Sequence, residues 1–267
     1  IRLAVKAEGE DNYLLGEVWE DATNKISYGS RRRFLRGRQL DSVMNYPFAN
    51  AVTDYVKGGS AEKLLNTVLN ILENYPPQAV KLLMNHIGTH DTARAITVLG
   101  AHDGYVGDRK WQSERVLSAE EYNRGVGLLK LAAVLQFTLP GVPSIYYGDE
   151  AGLTGYGDPF CRAAYPWGRE NTELLSFYRA LGALRRSSPA FASGEFVPIR
   201  AESGVFAFLR KRGGSTAFIA INSGDGTAVT DLPPELKDIK RLSAISKAVL
   251  PRISIPIIFR SFKSIEL

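Results

Sequence analysis

This chain has little of what holds small secreted folds or metal centres together. Its single cysteine, Cys161, excludes an internal disulfide framework. Its three histidines, His86, His90 and His102, have no metal-ligand spacing, which argues against a zinc site. No apolar run is long enough to span a bilayer, so a membrane protein is not expected. The start also lacks features. Ile1 to Lys6 has the apolar spacing of a helix, but no cap residue precedes it, and a signal peptide's long apolar core and cleavage site are missing. The chain reads as beginning inside a helix, and the expectation is the C-terminal part of a longer protein. Compartment stays open, with the cytoplasm favoured.

What is present is ample apolar material. Of 267 residues 45% are hydrophobic, enough for one large barrel or for a domain with a smaller companion. The net charge of +5 sits in the tail: residues 236–267 hold seven Lys/Arg and two Asp/Glu, leaving 26 of each sign elsewhere. A basic tail can mark a nucleic-acid partner, but motif content is weak and no such partner is expected. The cluster Arg31-Arg32-Arg33 with Arg36 and Arg38 reads as a solvated surface.

Strand-like and helix-like segments alternate over residues 1–187. Strands are expected at 13–18, 40–44, 80–85 and 141–147. Helices are expected at 48–56, at 61–73 after the cap Ser60, from the Ser118/Glu121 capping box to about Phe137, and from Asn171 or Thr172 to near Arg186. From Pro189 strands follow one another directly, at 195–200, 204–211, 215–222, 227–232 and 252–260. That pattern implies a small antiparallel β-sandwich over 188–267. Four β/α units make half of an eight-fold barrel. Its two open strand edges would invite self-association.

Acids stand just past the apolar strands, as a parallel-barrel enzyme requires. Gly16-Glu17-Val18-Trp19-Glu20 presents Glu17, with a glycine beside it that allows close approach. Glu17 reads either as a partly desolvated general acid near Trp19 or as an ion-paired rim acid. Asp91, between His90 and Thr92, reads as a held carboxylate or as a helix N-cap. Arg94 would be its ion-pair partner or a fork for hydroxyls. Glu150 reads first as structural. Trp19, Tyr46, Tyr146, Tyr147 and Trp167 gather at the same ends, where aromatic faces suit sugar rings or a core.

Four segments together carry a resemblance. Gly16 to Ala22 (GEVWEDA), Leu40 to Phe48 (LDSVMNYPF), Asn85 to Arg94 (NHIGTHDTAR) and Gly141 to Glu150 (GVPSIYYGDE) resemble the fifth to eighth strand motifs of the α-amylase family. They are similar above all to its neopullulanase and cyclomaltodextrinase branch. Pro159 to Arg162 and Pro166-Trp167 resemble the loop after strand eight. The resemblance implies an α/β fold: the second half of a (β/α)8 TIM barrel, strands 5–8, followed by the small β-sandwich. It implies a retaining hydrolase of α-1,4 and possibly α-1,6 glucosidic bonds. Glu17 would be the general acid/base and Asp91 the fixed aspartate that stabilises the transition state. His90 would bind sugar hydroxyls, and Asn45, Tyr46 and Arg94 would line the cleft. The family's nucleophilic aspartate, in an Arg-x-Asp motif upstream of the acid, has no match before Glu17, so the chain alone is expected to be inactive. No cofactor is evident, calcium being possible in the upstream part. The tail 236–267 departs from the family pattern. The rival reading is a non-catalytic scaffold or interaction protein on the same fold.

Overall fold

The computed structural model of this chain describes residues 1–103 and 108–224, together with the strands Leu242–Ala244 and Ile257–Phe262. In chain order, α1 (Arg2–Ala7) precedes β1 (Leu15–Gly16), β2 (Ile26–Ser27), β3 (Ser30–Arg31) and β4 (Ser42–Val43). Then come α2 (Tyr46–Val56), α3 (Ala61–Asn74), α4 (Pro77–Lys81), β5 (Met84–Asn85), α5 (Ala95–Gly100), α6 (Arg109–Glu114), α7 (Ala119–Thr138) and β6 (Val142–Pro143). After α8 (Thr172–Arg186) and α9 (Pro189–Ser193) the chain turns to sheet: β7 (Glu195–Glu202), β8 (Val205–Arg212), β9 (Ser215–Asn222), β10 (Leu242–Ala244) and β11 (Ile257–Phe262).

The first half is a parallel arc. β1 pairs with β4, Met44 bridges to Met84, and β5 pairs with β6, all parallel and in chain order. Helices α2–α4 carry the chain from β4 to β5 and α5–α7 from β5 to β6, whereas the crossover from β1 to β4 is a loop. The ladders are two residues long, shorter than the expected strands. Among the described residues β1 and β6 each have one neighbour, so half of their backbone groups are outside any ladder. The strand expected from residue 80 is corrected. Residues 77–81 are helical, because Pro77 sits in the first turn with φ already set, and Ala79 and Val80 turn inward. Gly16 serves close approach, as expected: a Cβ there would lie 2.2 Å from Leu40 Cδ1, so the glycine admits a side chain from the segment that leads into β4. The loop before β4 contains a hairpin, β2 with β3, whose Tyr28 and Gly29 both have positive φ, as a tight two-residue turn needs.

Local signals explain the helices. Asn45, Ser60, Ser118 and Asn171 each accept a hydrogen bond from a first-turn N–H. α3 buries Ala61, Leu64, Val68 and Ile71, one stripe at helical spacing. α7 is buried at every position from Leu131 to Thr138, and its carbonyl end is closed by two arginines. Arg185 donates to Phe137 O and Gly141 O, and Arg210 donates to Thr138 O and Gly194 O. Burial, with Arg185 adding like-charge repulsion, pushes Arg210 down to about 9. Among the described residues no helix is long and apolar enough to cross a membrane.

The described strands of the second half form one antiparallel sheet, in the order β10-β11-β9-β8-β7. On one face Phe206, Phe208, Ile219 and Ile221 join the core of the helical half through α3 and α9. Val205, Ala207, Leu209 and Phe218 make a separate cluster on the opposite face. The strand expected at 227–232, and the start of that at 252–260, lie outside the described residues. Tyr55 on α2 reaches the sheet, its hydroxyl lying 2.9 Å from both Gly204 O and Ile221 O.

Two predictions follow from this packing. Tyr55→Phe removes this hydroxyl while Gly204 O keeps the Ser223 N–H at 3.0 Å, and is expected to cost about 1 kcal/mol in urea unfolding. An unchanged midpoint would show that the contact is not sustained in solution. The second concerns pH. Glu121 accepts from Arg115, from the Ser118 N–H and from the His102 N–H, which hold its carboxyl down at about 2. Its stabilising contribution is therefore full above the unfolded glutamate value of about 4.3 and is lost as pH falls towards about 2. The gap in melting temperature between wild type and Glu121→Gln should close across that window. A gap that stays constant would refute the linkage.

Candidate active site

Three strand ends build the site. β1 delivers Glu17 and, two residues on, Trp19. β4 runs into Asn45 and Tyr46 at the start of α2. β5 leads into the loop 86–94. Side-chain oxygens and nitrogens of Glu17, His90 and Asp91 all come within 4.8 Å of one another. Among the described residues this is the one set of three such ligands close enough to hold a cation. Histidine spacing could not show it, since two of the three groups are carboxylates and Glu17 lies on another strand.

Asp91 is held from both sides. Its Oδ1 accepts from Arg162 at 3.1 Å, and its Oδ2 lies 3.2 Å from His90 Nε2. The turn beneath it is knotted by Thr89 and Thr92: the Thr89 N–H donates to the Thr92 hydroxyl, and the Asp91 N–H to the Thr89 hydroxyl. The helix-cap reading of Asp91 fails, since α5 begins at Ala95 with Arg94 at its cap position. The expected Asp91–Arg94 ion pair is also corrected. Arg94 is fully buried, stacks on Tyr146 and Tyr147 at 4.2 and 4.6 Å, and pairs with Asp149 at 3.3 Å. It props up the floor of the site rather than lining a cleft. Burial pushes the Asp149 carboxyl up while Arg94 pulls it back. Arg162, from the loop after β6, takes the place given to Arg94. Nothing near it in sequence marks it as Asp91's partner.

Glu17 is exposed, so the desolvation expected of it is not supplied by the described residues. Its Oε1 accepts from the Tyr46 hydroxyl at 2.9 Å. Tyr46 is itself buried, stacked on Trp19 at 4.1 Å and 17° and meeting His86 edge-on at 4.6 Å and 73°. Burial and the Glu17 carboxylate drive the Tyr46 phenol well above its usual value, with the Thr89 hydroxyl working in the other direction. Trp19 is half exposed, and a cavity of about 600 Å³ opens beside it, lined also by Tyr46, His86 and Thr92.

Asn45 is corrected as a cleft residue. It is 2% exposed, caps α2, and donates to Asn85 Oδ1 at 2.8 Å. Asn85 in turn donates to Pro140 O, and Gln136 donates to both Asn85 O and Ser144 O. This amide chain ties the ends of β4, β5 and β6 together. Gly141 makes room for it: φ is +116° and a Cβ would come within 2.6 Å of Asn85 Nδ2.

The arrangement presents an exposed carboxyl group, a carboxylate gripped by a guanidinium, an imidazole and an open indole face. Carboxyl groups facing one another beside an aromatic stacking surface are features that glycoside-cleaving sites use. The comparisons agree. The profile described as Alpha amylase, catalytic domain, matches residues 1–181. The chain is 34% identical over 226 residues to a cyclomaltodextrinase of Thermoanaerobacter pseudethanolicus, covering 83% of this chain and 34% of that protein. It is 31% identical over 215 residues to neopullulanase 2 of Thermoactinomyces vulgaris, covering 78% and 31%. Among solved structures, the cyclic α-maltosyl-(1→6)-maltose hydrolase of Arthrobacter globiformis superposes with a TM-score of 0.74 at 28% identity, covering 97% of this chain and 52% of that one. The chain thus spans about half of that structure and about a third of those two enzymes. With the family model matched over residues 1–181, most of the chain, and a cyclomaltodextrinase 34% identical over 83% of it, this protein belongs to the α-amylase family of glycoside hydrolases.

Proposed function

We propose that this chain is the acid-bearing half of a retaining α-glucan hydrolase of the neopullulanase-like branch, acting on α-1,4 glucosidic bonds, with α-1,6 bonds as a second class. Its parallel arc corresponds to barrel strands 5–8. The observation that carries this reading is the meeting of Glu17, His90 and Asp91 within 4.8 Å, from strand ends far apart in sequence. Glu17 protonates the departing glycosidic oxygen and later deprotonates the attacking water. Asp91 stands across from the positive charge that develops on the sugar ring. Both of its oxygens are engaged, one by Arg162 and one by His90, which suits a fixed charge and not an attacking nucleophile. His90 and Trp19 offer a hydroxyl partner and a stacking face.

The nucleophile is the missing part. A retaining mechanism needs a second carboxylate to form the glycosyl-enzyme. Asp11, before Glu17, lies in the turn ahead of β1, at the opposite end of that strand. The nucleophile is therefore assigned to a segment outside this chain. The purified chain should bind maltotriose or β-cyclodextrin at millimolar concentration, seen as shifts of the Trp19 indole and His90 ring signals, and should release no product. Absence of binding would sink the glucan reading. Turnover abolished by Glu17→Gln would instead show that this chain holds a complete site.

The open edges of β1 and β6 support a second expectation, self-association of the isolated chain through unpaired backbone groups. Sedimentation velocity should show species larger than 29.4 kDa. A single monomeric boundary would count against it.

A further inference from the structure

We propose that His86 is a positioning residue for Glu17, acting through Tyr46. The proposal rests on the reading of Glu17 as the proton donor. Glu17 follows a strand of two residues and is exposed, so little on its own segment fixes its carboxyl group. Its hydrogen-bond donor is the Tyr46 hydroxyl at 2.9 Å. Whatever holds the Tyr46 ring therefore also aims Glu17.

Two rings hold it. Trp19 stacks on it at 4.1 Å, but Trp19 is half exposed and belongs to Glu17's own loop, so it moves with the group to be fixed. His86 comes from the loop after β5 and is 1% exposed. Its ring meets that of Tyr46 at 73° with centroids 4.6 Å apart. An edge-on contact of this kind sets the partner ring's rotation as well as its place, because a positive ring edge meets a negative ring face.

What singles out His86 is that neither of its ring nitrogens has a hydrogen-bond partner, although both are buried. An aliphatic side chain would fill the space without leaving two polar atoms unmet. The imidazole supplies what an aliphatic group cannot, a polarised aromatic ring edge-on to that of Tyr46. Burial lowers its pKa to about 4, so the ring is neutral near pH 7 and its contact with Tyr46 does not switch there.

The experiment needs no sugar. The 267-residue chain is prepared with tyrosine labelled with carbon-13 at Cζ, and hydroxyl exchange of Tyr46 is read in mixed light and heavy water, Tyr46→Phe giving the assignment. In the wild type exchange is slow, and Glu17→Ala speeds it about tenfold by removing the acceptor. His86→Leu does the same at an unaltered amide spectrum, and Glu17→Ala then adds nothing further. His86→Phe, which keeps an aromatic edge against Tyr46, retains slow exchange. Slow exchange in His86→Leu, or fast exchange in His86→Phe, overturns the proposal, and the second arm stands even where the leucine variant misfolds. Because glucan binding is measured separately, failure here is distinct from failure of the glycosidase reading.

Discussion

The buried amide chain Asn45–Asn85–Pro140 is the constraint on which the site depends. Its members lie where β4, β5 and the turn into β6 come side by side, at depths where an unmet amide is costly. With ladders of two residues, backbone pairing alone sets the strands' relative heights weakly. The side-chain amides add the missing fixation, and Gln136 extends it by bonding Asn85 O and Ser144 O from the fully buried end of α7. Asn45 also caps α2, so the same chain fixes where Tyr46 begins that helix, and Tyr46 bonds Glu17.

A second level of support lies under the loop that carries Asp91. Arg94 leaves that loop downwards, into a slot between Tyr146, Tyr147 and Asp149. The Arg94 N–H donates to Gly155 O, and the Gly155 N–H donates to Thr97. The long loop after β6 is thereby fastened to the start of α5 and can offer Arg162 to Asp91. One arginine is buried to hold the floor and another stays near the surface to grip the carboxylate.

The sequence reading was sound where a signal is local. The caps at Ser60, Ser118 and Asn171, the helices they open and the change to successive strands after Pro189 all rest on contacts within a few residues. It went astray where neighbours decide. Pro77–Lys81 folded as helix because Val80 found a core on one side only. The motifs place Asn45 and Arg94 at the cleft, yet both are buried, a matter of direction that spacing along the chain does not encode.

By itself the sequence determined the family, the strand-to-helix alternation and the identity of the acid-bearing strand ends, because each is written in short motifs and local periodicity. Only the tertiary structure decided which charges meet. Asp91 is held by Arg162 and His90, Arg94 is reserved for Asp149, and Glu17 is aimed by Tyr46 between Trp19 and His86. Those partnerships join residues from different strands and loops. Distance and burial in the folded molecule set them, and neither quantity has a counterpart along the chain.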